Sequence, residues 1–101
     1  MEMITTTIYI EQDFKELFTG YLFHRSEDVQ QIESSLIDMD FKTIAKLSNM
    51  MRWSGSTHGF DHISEIGDTM EKCANQRDFI GVISQLELLK DFLERLEIIY
   101  I

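Results

Sequence analysis

Four stretches of this chain place apolar residues three and four apart, joined by links of only two to four residues. No other feature limits the fold as much. The first stretch carries Phe14, Leu17, Phe18, Tyr21, Leu22, Val29, Ile32 and Leu36, with a bend expected near Ser26. The second carries Phe41, Ile44, Ala45, Ser48, Met51 and Gly55 behind Asp40 as N-cap, and stops near Gly59. The third follows Phe60 with Asp61 as its expected cap, and turns Ile63, Ile66, Gly67, Met70, Cys73 and Ala74 inward. Asp78 opens the fourth, with Phe79, Val82, Ile83, Leu86, Leu89, Leu93 and Leu96 on one face. The spacing predicts helices over 11–38, 41–57, 61–75 and 78–97. Links this short make consecutive helices antiparallel. The expectation is an all-α, up-down four-helix bundle forming one domain over 1–101. The absence of proline agrees with it, because proline breaks helix interiors.

The ends read differently. Ile4, Thr6, Ile8 and Ile10 alternate along one side of an extended segment, and Ile98–Ile101 is apolar and rich in β-branched residues. Both are candidate short strands that could pair with each other; a frayed arm or a helix end is the alternative.

Charge narrows the function. The net charge of −9 would repel a nucleic-acid backbone, so no nucleic-acid partner is expected. No apolar run approaches the ~20 residues that span a membrane, so no membrane partner is expected either. Met1–Thr7 holds Glu2 and no basic region, which is not the pattern of a secretory signal. With one cysteine there is no internal disulfide. These features fit a cytoplasmic protein. The phosphate-cradling loop and dinucleotide fingerprints are missing.

One segment departs from the acidic background. Between Phe41 and Phe60 there is no acid, while Lys42, Lys46 and Arg52 are basic and Trp53 is the only tryptophan. On a helical wheel Lys42, Lys46, Asn49 and Trp53 form a ridge opposite the core positions, with Met50 beside them and Arg52 at the boundary. An exposed Trp among basic residues has the composition of a protein-binding hot spot, and Met adds an adaptable contact. Its complement would be an acidic pocket on a partner. The alternative is a Trp53 folded over a neighbouring helix among ordinary solvated lysines.

The same residues carry a family pattern. "NMMRWSGSTHGF" resembles the active helix of histidine-containing phosphotransfer (HPt) domains, which exchange a phosphoryl group with the aspartate of response-regulator receiver domains. That helix reads His, two residues, Lys, Gly, Ser, a small residue, three more, then Gly and an apolar residue. Arg52 stands at the Lys place, Ser54 at the Ser, Gly55 at the small residue and Gly59-Phe60 at the closing pair. Gly67 and Glu71 in "DHISEIGDTMEKCANQRDF" continue the match, and the flanking helices extend it over nearly the whole chain.

Two positions depart from the pattern. Asn49 replaces the phosphoryl-accepting histidine, and Trp53 replaces the glycine four residues later. A carboxamide nitrogen is delocalised and is not a nucleophile, and an indole one turn on would crowd an incoming phosphoryl group. The resemblance therefore implies a non-enzymatic phosphorelay protein. It would bind a receiver domain or a sensor histidine kinase through Lys42, Lys46, Asn49, Met50, Arg52, Trp53 and Ser56, as a monomer and without cofactor or metal.

Other chemistry is less well supported. An active phosphotransfer protein would need His58, His62 or His24 as acceptor. A structural bundle dimerising through Trp53 is the third possibility. His58, His62, Glu65 and Cys73 have no recognised metal-ligand spacing. Cys73 lies on an apolar face, which suits an inert thiol. Ser54 and Ser56 have no evident base partner. The acidic clusters at Glu11–Asp13 and Glu94–Glu97 read as solvated faces.

Overall fold

The computed structural model describes residues 5–101. Its element order is strand β1 (Thr6–Ile10), a 3-10 turn (Gln12–Phe14), helices α1 (Lys15–Ile37), α2 (Phe41–Thr57), α3 (Asp61–Asn75) and α4 (Phe79–Arg95), and strand β2 (Leu96–Tyr100). The fold is mostly helical. Each helix packs on the next, and α4 returns to α1. Ile32, Ile44, Met51, Ile63, Met70, Val82 and Leu89 have almost no exposed surface and form the centre of the core. No described helix is long and apolar enough to cross a membrane.

Several expectations shift at the edges. The first helix begins at Lys15 rather than 11, because the chain is still extended at Ile10 and then turns through Gln12–Phe14. It runs through Ser26 without a break in the helix. Phe14 and Leu17, expected inside, are exposed. At 23 residues α1 is the longest helix, and its first buried member is Tyr21. Helix α4 ends at Arg95 rather than 97, since Leu96 already has extended dihedrals. Phe79 at its start is also exposed.

The two ends pair, so the fold is not purely helical. β1 and β2 form a parallel ladder with Thr6 opposite Leu96, Ile8 opposite Ile98 and Ile10 opposite Tyr100. Ile8, Ile10, Ile98 and Tyr100 are half-buried, while Thr7, Tyr9, Glu97 and Ile99 face outward. The Tyr100 hydroxyl lies 3.2 Å from Thr19 Oγ1, and Lys15 sits over the Tyr100 ring, which ties β2 to α1. Ile4 lies outside the described residues.

The three inter-helix turns share one design. Met39, Gly59 and Arg77 each take a positive φ after a helix. The amide one residue later then donates back to the helix, from Asp40 to Ser35, Phe60 to Gly55 and Asp78 to Cys73, each at 2.8 Å. Asp40 and Asp78 cap the following helices by accepting from the Thr43 and Gly81 amides. Asp61 does not cap α3. Phe60 holds that position without a side-chain bond, and Asp61 is the first helical residue, where its charge suits the helix dipole.

Helices α2 and α3 approach closely enough to need glycine. A Cβ on Gly67 would lie 2.7 Å from both the Arg52 nitrogen and the Ser48 oxygen, and one on Gly55 would lie 2.7 Å from the Ser64 nitrogen. Ser64 Oγ donates to the Arg52 carbonyl at 2.9 Å across the seam. The buried Ser48 hydroxyl donates to its own helix at Ile44. Small residues on both helices thus let the backbones meet.

Candidate functional site

The close approach of α3 determines what the outer side of α2 presents. Lys42, Lys46, Met50, Trp53 and Ser56 are exposed, and Asn49 and Arg52 are half-buried against α3. Trp53 is 63% exposed and Met50 57%. The indole is therefore outside the core, and the expected ridge exists as a surface.

Glu71 of α3 organises its middle. Asn49 Nδ2 donates to Glu71 Oε2 at 3.0 Å. Arg52 Nε lies 3.6 Å from Glu71 Oε1, an ion pair longer than a hydrogen bond. The Arg52 guanidinium also stands 4.9 Å from the centre of the Trp53 ring, in cation–π range. One carboxylate thus holds the amide and, through Arg52, steadies the indole. With one Nδ2 hydrogen committed to Glu71, Asn49 has left a second amide N–H and a carbonyl oxygen, which can hydrogen-bond but are not the nucleophile that an imidazole nitrogen is.

Sequence reasoning missed the acidic border of this surface. Arg52, Trp53, Ser56, Ser64, Glu65 and Asp68 line a shallow hollow of about 340 Å³. The basic flank of α2 is therefore bounded by carboxylates of α3, and Lys72 pairs with Asp68 at 3.1 Å. The signal was present as Glu65, Asp68 and Glu71, spaced three apart on the helix that Gly67 brings against α2.

The histidines lie elsewhere. His58 is at the C-terminal end of α2, stacked on Tyr21 with ring centres 4.0 Å apart and with the Phe18 ring 6.0 Å away. Its Nδ1 is 2.7 Å from the Ser54 carbonyl oxygen, which can only accept, so the proton is on Nδ1. A phosphoryl group there would face the negative end of the helix dipole. His24 Nδ1 contacts exposed Glu27 at 2.8 Å, and His62 is an exposed residue 5.5 Å from the Phe92 ring. Ser54 accepts from Arg25 at 2.8 Å and has Tyr21 Oη at 3.2 Å, which makes it a packing group.

Among the described residues no cluster of three His, Cys, Asp or Glu could hold a metal ion. Burial, with Asp78 adding to it, pushes the Cys73 thiol above its ordinary pKa and away from a reactive thiolate.

No family model, curated protein or solved structure matches the chain. The resemblance to HPt domains therefore rests on the residues quoted above alone.

Proposed function

We propose that this protein is a docking module of a phosphorelay, an HPt-like bundle with its helices in up-down order that binds a receiver domain or sensor histidine kinase without carrying phosphate. It acts in the cytoplasm and is not an enzyme. The observation that carries this reading is the outer side of α2, where an exposed tryptophan and methionine lie beside Lys42 and Lys46. Large apolar side chains next to cations that make no ion pair among the described residues fit an acidic cleft rimmed with apolar surface. Asn49 supports the non-catalytic part, since it stands at the acceptor position as an amide held by Glu71.

Calorimetric titration with receiver domains and kinase fragments tests the reading. Trp53→Ala should weaken binding by about 2 kcal/mol, roughly 30-fold, as expected for an anchoring aromatic. Its folding stability should change by less than about 0.5 kcal/mol, because the indole is outside the core. Unchanged affinity in that variant refutes the assigned surface. Acid-labile phosphate on the wild-type chain, after incubation with a phosphorylated receiver, refutes the non-catalytic assignment.

A further inference from the structure

The sheet at the chain ends has two strands, so β2 occupies only one edge of β1. Ile10 accepts from the Ile101 amide at 2.9 Å, so the backbone polar groups of Ile10 point toward β2. In a strand these groups alternate sides. Those of Ile8 and Thr6 therefore also point to β2, and those of Thr7 and Tyr9 point away from it. Facing away from β2, the amides and carbonyls of Thr7 and Tyr9 make no bond to a turn, loop or cap among the described residues. Exposed strand edges are normally blunted by a lysine, a proline or a bulge. β1 reads Thr-Thr-Ile-Tyr-Ile and has no charge and no proline.

We infer that the free edge of β1 pairs antiparallel with β1 of a second copy, joining the two sheets into one of four strands across a two-fold axis at Ile8. The register follows from which groups are free. Thr7 faces the second copy's Tyr9 and Tyr9 faces its Thr7, so every outward amide and carbonyl on both strands finds a partner. Ile8 then lies opposite its own counterpart, and no charges within the strands are brought together. A foreign strand could meet the same donors, but only a self-pair closes by symmetry and uses the edge on both partners at once. Tyr9, which is 65% exposed, gains Thr7 of the second copy as its cross-strand neighbour. This assembly differs from the monomer expected on sequence grounds, and it uses a surface separate from Trp53.

Sedimentation of the full chain across a concentration series tests the inference. The wild type should show a reversible dimer, and a monomer at the highest soluble concentration overturns the proposal. Thr7→Pro removes an amide that faces away from β2 and makes no bond to a turn, loop or cap among the described residues, so the helices should be kept. It should raise the dissociation constant at least about tenfold, as two lost hydrogen bonds imply. A dimer equally tight in Thr7→Pro overturns the proposal; so does one lost in Trp53→Ala and kept in Thr7→Pro. Amide exchange on the wild type provides a readout that does not depend on any variant. Protection at Thr7 and Tyr9 should rise with protein concentration while that of α2 and α3 stays constant, and no concentration dependence at those two amides refutes the pairing.

Discussion

Gly67 and Gly20 both sit inside helices, yet the same added methyl group would have opposite effects at the two sites. At Gly67 a Cβ would lie 2.7 Å from backbone atoms of Arg52 and Ser48, which cannot move without shifting α2. At Gly20 it would meet nothing within 4 Å. The α2–α3 seam is thus fixed by contact between main chains, and the early turns of α1 are bounded by side chains and solvent. Phe14, Leu17 and Phe23 are exposed around Gly20, whereas Ser48, Met51, Gly55 and Ile63 are buried around the seam. The seam lies behind Asn49, Arg52 and Trp53, so the docking face proposed for α2 would rest on the more tightly fixed of these two regions.

Three substitutions can break or sharpen that contrast. Gly67→Ala should destabilise the fold by about 3 kcal/mol, the upper range for overpacking, because no flexible group can yield. It should also loosen the bond between Asn49 and Glu71, and urea unfolding with chemical-shift mapping of α2 would report both effects. Gly81→Ala should fall in between. Its methyl would meet the Asp78 carboxylate and Cys73 Sγ, both side-chain atoms that can turn away. The main loss would be the Asp78 cap, about 1 kcal/mol. Gly20→Ala should stabilise by about 0.5 kcal/mol, since it gains helix propensity without a clash. A loss at Gly20 as large as that at Gly67 would remove the distinction between the regions.

Two carboxylates extend the comparison to pH. Asp40, which caps α2, is held below its ordinary pKa of 3.8 by hydrogen bonds from the Thr43 side chain and amide. Its contribution is complete above the unfolded value and is lost as pH falls through the folded one. Asp28 on α1 is raised above 3.8 because burial outweighs the attraction of Arg25, 2.8 Å away. A raised acid favours the fold when protonated, so its contribution declines as pH climbs from 3.8 through the folded pKa. In acid titrations of stability, the advantage of wild type over Asp40→Asn should shrink as pH falls. Relative to Asp28→Asn, wild type should gain. The same sign for both would show that one of these environments is misassigned.

Much of this was legible in the sequence where a single helix determines the answer. The spacing of Phe41, Ile44, Ser48, Met51 and Gly55 placed the core side of α2, and the same periodicity placed Lys42, Lys46, Met50 and Trp53 outside. Geometry between elements was harder to read. The bond from Asn49 to Glu71 and the carboxylates beside Trp53 depend on how closely α3 approaches, which is decided by contacts of Gly67 that no one-dimensional pattern records. Extrapolating α1's periodicity back to Phe14 failed for a related reason. Apolar spacing identifies one side of a helix, but what lies opposite depends on where the other helices end. The role of Asp61 was misread because a cap requires extended backbone one residue before the helix, and the turn at Gly59 gives that place to Phe60.

The three turns, each closed by one residue of positive φ, leave the chain without slack between helices. One residue inserted in the first half of α2 would swing everything beyond it by about 100°, carrying the indole off its bearing and Met51 out of the interior. Length is therefore an aiming constraint in this molecule, and drift among its descendants should exchange side chains along α2 far more readily than it adds or removes them.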